Sequence, residues 1–279
     1  MRIRATGAAL VGALALTALA VPAAQAEEGP ADLRSSMFAA NAPADDVIGD
    51  TQITGVTVNG GKDIVLGTTV PKTITVSVTA TDPEGIEDAY VHLWHGTSMD
   101  DPDSVDGVLI PNEDVAGCTP VSATTSTCKL TFTIDPQFDL ADNALAGTWK
   151  VTAAALGKDG DMVWKDAYKT HRVQRASKLT VNAGPEPVTK GKQLTVTGKL
   201  TRANWQTFTY AGYTGQPVKL QFRKAGTSTY TTVKTVNTNS TGNLSTTVTA
   251  SVDGYWRWSF AGTSTTPAVS ATGDYVDVK

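Results

Sequence analysis

Hydrophobic and polar residues alternate along much of this chain, most sharply near its C-terminus. In Asp253-Gly254-Tyr255-Trp256-Arg257-Trp258-Ser259-Phe260, the rings of Trp256, Trp258 and Phe260 take every second place and Arg257 and Ser259 lie between them. A period of two puts one aromatic face inward and one polar face outward, which predicts a β-strand covering a core. Each such ring buries about 150–250 Å², so three on one face can seed a sandwich-sized interior. Gly147-Thr148-Trp149-Lys150-Val151 echoes the same order, so the two stretches are read as equivalent strands of two successive β-domains. Elsewhere Ile74, Val76 and Val78 alternate with Thr73, Thr75, Ser77 and Thr79, while Val91 and Leu93 oppose Tyr90, His92 and Trp94.

About seven strands are predicted in each half, separated by turns such as Asn59-Gly60-Gly61, Asp82-Pro83-Glu84-Gly85, Ala225-Gly226-Thr227 and Ser240-Thr241-Gly242-Asn243. A single helical turn is expected over Pro136 to Asn143, with Leu140 and Leu145 beneath it. Seven short strands with turns every eight to twelve residues predict an all-β chain of two tandem immunoglobulin-like β-sandwich domains. A closed barrel is the alternative, because periodicity does not count hydrogen-bonded neighbours. The antibody type is excluded, since no Cys-Trp-Cys set pins the sheets.

The first 26 residues have the layout of a cleaved signal peptide: Arg2 and Arg4, an apolar run from Ala8 to Val21, then Ala24-Gln25-Ala26 before Glu27. That run is shorter than the ~20 residues of a membrane span. Residues 27–46 are expected to be a flexible leader, 47–173 an acidic sandwich and 174–279 a basic one. Secretion without a remaining membrane span is therefore expected. Two cysteines are present, Cys118 and Cys128, and an oxidising compartment favours their pairing. A bridge there closes a short loop and contributes on the order of 2–3 kcal/mol.

Gly215-Gln216-Pro217-Val218-Lys219-Leu220-Gln221-Phe222-Arg223, Thr241-Gly242 and Asp253-Gly254-Tyr255-Trp256-Arg257 resemble secreted bacterial Ig-like repeat domains of the actinobacterial type. The likeness spans about 177 to 279. It is weaker over 48 to 173, where it rests on Thr79-Ala80-Thr81-Asp82-Pro83-Glu84-Gly85-Ile86 and the Gly147-Thr148-Trp149 echo. The resemblance implies a fold and a compartment, for modules that serve as spacers or adhesins, and no reaction.

Charge divides the halves. Residues 44 to 173 hold 20 Asp and Glu against 8 Lys and Arg, and 174 to 279 hold 4 against 12. The net of about −12 facing about +8 gives ordinary solubility and mutual attraction, and a sharper reading has the basic domain meeting an anionic wall polymer. Asp101, Asp103 and Asp106 are weak candidates for calcium, because hard oxygen ligands suit that ion. Their spacing fails the EF-hand pattern, with Asn112 standing where its closing Glu belongs.

Catalytic signatures are missing: the sequence has no Gly-x-Ser-x-Gly elbow, no His-Glu-x-x-His helix and no phosphate loop. His92 and His95 lie three apart on a predicted strand, hence on opposite faces, which disfavours shared metal ligation. The expectation is a non-catalytic secreted structural or adhesive protein without a cofactor or a nucleic-acid partner. The alternative is an extracellular carbohydrate- or cell-wall-polymer-binding protein. Its candidate surface is Trp205, Phe208, Tyr210 and Tyr213, whose amphipathic rings give contact area at small entropy cost. The competing reading buries those rings as core.

Overall fold

The computed structural model describes residues 45–279, so the expected signal peptide and nearly all of the expected leader lie outside the described residues. The first ten strands are β1 (Asp45–Ile48), β2 (Gln52–Val58), β3 (Ile64–Leu66), β4 (Lys72–Thr81), β5 (Ile86–Gly96), β6 (Val105–Leu109), β7 (Gly117–Pro120), β8 (Thr125–Ile134), β9 (Gly147–Gly157) and β10 (Met162–Arg175). They form two sheets. One has the order β1-β10-β9-β5-β6, with β3 added in parallel to β10, and the other has the order β2-β4-β8-β7. Inward residues of the second sheet, among them Val76, Val78, Leu130 and Phe132, meet Val91, Leu93, Trp149 and Val151 of the first in one core.

The next ten strands are β11 (Ser177–Leu179), β12 (Asn182–Gly184), β13 (Gln193–Asn204), β14 (Thr209–Gly212), β15 (Pro217–Lys224), β16 (Thr231–Asn237), β17 (Asn243–Thr249), β18 (Gly254–Phe260), β19 (Val269–Ser270) and β20 (Asp274–Val276). The long β13 pairs with β11, β12, β14 and β17, while β16-β15-β18-β19, with β20 beside β18, make the facing sheet. Trp256, Trp258 and Phe260 are buried against Leu194, Val196 and Leu200, as their spacing predicts. The chain is thus two face-to-face β-sandwiches, in line with the expected all-β class.

Several elements differ from expectation. Asp45 and Asp46, assigned to the leader, belong to β1, which pairs antiparallel with β10. The helical turn is a 3-10 turn at Asn143–Leu145, where Asp142 caps the Ala144 N–H, and both Leu140 and Leu145 are buried. Strands β6, β7 and β14 fall in stretches where loops are expected, because four or five residues are too few to display a period.

The two sandwiches meet along a shared seam. From β10 the chain passes through Ala176 into β11, with the Ala176 N–H donating to Leu66 O at 2.8 Å and the Ala203 N–H to Ala176 O at 2.8 Å. Ala203 and Trp205, at the end of β13, belong to the core of the first sandwich rather than the second.

Candidate functional site

The aromatic group proposed from sequence as a recognition surface lies at this seam. Trp205 is 0 % exposed, and its Nε1–H donates to Gly67 O at 2.8 Å. Its backbone N–H donates to Asn143 Oδ1 at 2.9 Å, and Asn143 Nδ2 in turn donates to Asn204 Oδ1 at 2.9 Å. Tyr210 packs against the first core with the Lys178 ammonium 3.8 Å from its ring centre. Tyr213 is buried in the second core, edge-on to Phe260 and beneath the Arg202 guanidinium at 3.9 Å. Phe208 is half-buried at a turn with φ +53°. Trp205 and Tyr213 are therefore core residues, one in each sandwich, and Tyr210 rests against the first core, so the four do not share one face. Arg175, deep in the same seam, donates from Nε to Ala203 O at 2.6 Å. Burial and then the neighbouring Arg202 charge pull its pKa down to about 10.

Cys118 and Cys128 are bonded, and they stand directly opposite each other on β7 and β8. The calcium candidates do not converge. Asp106 Oδ1 lies 2.5 Å from His95 Nδ1, while Asp101 Oδ1 accepts the Asp103 N–H at 3.2 Å. One acid is engaged by a neighbouring strand and the others shape their own turn, so no oxygen cage forms from Asp101, Asp103 and Asp106.

Carboxylates gather instead at one end of the first sandwich. Asp50 follows β1, Asp82 and Glu84 lie in the β4–β5 turn, and Asp159 and Asp161 lie in the β9–β10 turn. Oxygens of Asp50, Asp82 and Glu84 fall within 4.8 Å of one another, as do those of Asp82, Asp159 and Asp161. Asp82 is buried, accepting from the Thr51 hydroxyl at 2.5 Å and the Glu84 N–H at 2.9 Å. Asp161 Oδ2 accepts the Asp50 N–H at 2.8 Å, and a Cβ on Gly49, at φ +73°, would collide with the same carboxylate. Hard oxygens of this kind suit a divalent cation, and their hydrogen bonds clamp three turns together.

That clamp has an electrostatic cost. Desolvation, then the charges of Asp82, Asp161 and Asp159, raise the pKa of Asp50; desolvation, then Asp159, Asp82 and Asp50, raise that of Glu84. A carboxyl raised on folding favours the fold only below its unfolded pKa, and that gain is lost as pH rises through the folded value. Sequence reasoning missed this cluster because its members come from three turns far apart in the chain. The available signal was the acid common to turns that a sandwich brings to one end.

A family model described as "Family of unknown function (DUF5707)" matches residues 68–155, all within the first sandwich. No curated protein matches the chain. Among solved structures, the D00-D0 domain of intimin is similar over 79% of this chain and 98% of its own, at 17% identity and TM-score 0.25. The D0-D1 domain of intimin aligns over 82% and 100%, at 15% identity and TM-score 0.26. An amphioxus IgVJ-C2 molecule aligns over 77% and 99%, at 11% identity and TM-score 0.27. The assignment to β-sandwiches rests on the chain's own sheets and their register.

Proposed function

We propose that this chain is an exported, non-catalytic structural or adhesive protein of the bacterial, actinobacterial-type Ig-like repeat kind, acting outside the cell through the outer faces of two sandwiches fixed to each other. The observation that carries this reading is Trp205, which leaves the second sandwich to fill the core of the first. Fully burying a side chain of this size stabilises the packed arrangement by roughly 1.5–3 kcal/mol or more. A bond of that kind between neighbouring modules suits a spacer that must hold its partners at a set separation. The engagement of Asp82, Asp106 and Asp161 within turns and strand pairs, in described residues that are nearly all strand and turn, fits a scaffold better than a reaction centre. Export rests on the N-terminal sequence pattern.

The test is fractionation of a producing culture, with N-terminal sequencing of the mature chain and sedimentation of the pure protein with washed cell walls. The expected result is a chain beginning at Glu27 that is found in the medium or on the wall and co-sediments with it. Retention in the cytosol with residues 1–26 intact would overturn the reading.

A further inference from the structure

The second sandwich carries an outer face of unusual chemistry. On β18 the inward places go to Trp256, Trp258 and Phe260, so Tyr255, Arg257 and Ser259 point away from the core. Pairing sets Arg223, Gln221 and Lys219 of β15 beside these three, and Tyr275 of β20 beside Tyr255. Tyr230, just before β16, closes the group. The Arg223 guanidinium carbon lies 4.0 Å from the Tyr255 ring centre and 5.3 Å from that of Tyr230. The Arg257 guanidinium lies 3.8 Å from Tyr230, and the Tyr255 and Tyr275 ring centres are 5.1 Å apart. Rings and guanidiniums alternate in one stack.

The rings hold both guanidiniums in place, and each arginine is half-buried with part of its side chain open to solvent. Each guanidinium has five N–H donors. Arg257 commits its Nε to Gln221 Oε1 at 2.9 Å, and Arg223 commits an Nη1 to Thr227 O. Among the described residues, neither forms an ion pair with a carboxylate. Of the four acids of this half, Asp274 accepts from the Ala183 N–H and Glu186 precedes β13, while Asp253 accepts from the Val278 N–H and Asp277 pairs with Lys279. Asp253 and Asp277 sit near Tyr275 and so bound the face at that end. From Arg223 through Arg257 to Lys219 the cations run in a zigzag. Strand spacing and rise make each step about 8 Å.

From this geometry we infer that the outer face of β15, β18 and β20, centred on Arg223 and Arg257, is the docking surface for a linear polyanion carrying one negative charge per repeat, such as a phosphodiester or uronate wall polymer. The inference deepens the proposed extracellular role and rests on it. Planar guanidiniums fixed by ring stacking lose little freedom when they take an oxyanion bidentately, and bidentate recognition of phosphate or carboxylate is what that fork does best. The excess of 12 basic over 4 acidic side chains in residues 174–279 supplies the longer-range attraction. Nucleobases and neutral sugars need free ring faces, and here Tyr230 and Tyr255 are covered by guanidiniums.

Binding of the full mature protein to labelled poly(glycerol phosphate), polygalacturonate, dextran and a 20-nucleotide oligo-dT tests this. Affinity is expected for the first polymer, the second or both, falling with added salt as counterions are released; which of the two binds identifies phosphate or carboxylate as the anion. R223Q/R257Q should weaken that binding by about tenfold or more, because two charge-assisted contacts are removed. K192Q/K199Q, an equal charge change at exposed sites on or beside the opposite sheet, should change it by less than about twofold, as a rim charge does. R223K/R257K keeps the charge but loses the planar fork, and about a threefold loss is expected. Melting curves of all variants separate lost binding from lost folding.

Equal weakening by R223Q/R257Q and K192Q/K199Q would overturn the inference in favour of a diffuse field. Tighter binding to oligo-dT than to either anionic polymer, which would mean that the bases carry the contact, or affinity for neither polymer, would overturn it as well. Wall sedimentation that survives R223Q/R257Q would also sink this surface, while leaving the exported adhesive role standing.

Discussion

His92 stands apart among the single residues: it is fully buried, and among the described residues neither ring nitrogen has a hydrogen-bond partner. It sits on the outer side of β5, opposite Thr152 on β9, between Tyr90 and Trp164 at ring separations of 5.8 and 6.2 Å. Burial drives its pKa down to about 4, so the folded state keeps it neutral where an unfolded chain would take up a proton. The sign follows from linkage. Between pH 6.5 and 4 the unfolded state binds more protons, so stability is full above that window and falls by roughly 3 kcal/mol across it. His92→Leu should therefore raise stability by about 1–3 kcal/mol at neutral pH by removing unsatisfied nitrogens. The gain should grow as pH falls toward 4. Urea midpoints at pH 7.5, 6 and 4.5 check this; the difference between the two proteins is the quantity to read, because Asp50 and Glu84 titrate in the opposite sense. A constant difference would show that His92 does not titrate as its burial demands. Sequence placed His92 with Tyr90 and Trp94 on the face opposite Val91 and Leu93, which holds, but did not tell that this second face is covered. It is buried as thoroughly as the other. Alternation reports polarity, and a strand buried on both sides has none to report.

Among the elements, long strands were legible and short ones were not. Ten residues of β4 show the period plainly, and every one pairs with β8 in unbroken register. By contrast β7 has four residues and a single half-buried anchor, Cys118. What holds this edge strand is its covalent link to Cys128, a core residue in the alternating run Cys128, Leu130, Phe132, Ile134. The cysteine spacing was readable; the strand it fastens was not, because the tie replaces the hydrophobic pattern that would have announced it. The bond closes a loop of sequence separation 10, for which chain entropy gives roughly 2–3 kcal/mol. Cys118→Ala/Cys128→Ala should lower stability by about that amount and slightly raise the urea m-value, because the untied unfolded chain exposes more surface. It should also speed amide exchange at Gly117 to Thr119 before any other segment of that sheet, since an untied edge opens locally. Slow exchange there in the variant would mean that pairing alone holds β7.

For the whole molecule, the question is whether two sandwiches unfold as two bodies or as one. Sequence set the switch between them near Gln174; β10 ends at Arg175 and β11 begins at Ser177, and the seam that joins the sandwiches was hidden. Trp205 reads locally as one ring among Asn, Gln and Thr in a polar stretch, which is why it looked like a binding residue. Its carbonyl partner Gly67 lies 138 positions earlier, a distance no periodicity reaches. Gln174 and Arg175 reinforce the seam from the other side: Gln174 Nε2 donates to Thr263 O at 3.0 Å, and the Arg175 N–H donates to Thr265 O at 3.0 Å. Cutting the ring back to Ala removes a fully buried indole from the first core and leaves the seam's hydrogen bonds exposed to water, at a cost of about 3–5 kcal/mol. That is a large part of the roughly 5–15 kcal/mol by which a domain holds together, so the coupling should fail before either core does. Calorimetry of the intact protein should show one cooperative transition, and Trp205→Ala should split it into two, with the first sandwich melting lower. Two resolved transitions in the unaltered protein would mean that the sandwiches share a surface without sharing their stability, and the fixed spacing on which an adhesive role depends would then have to come from outside the chain.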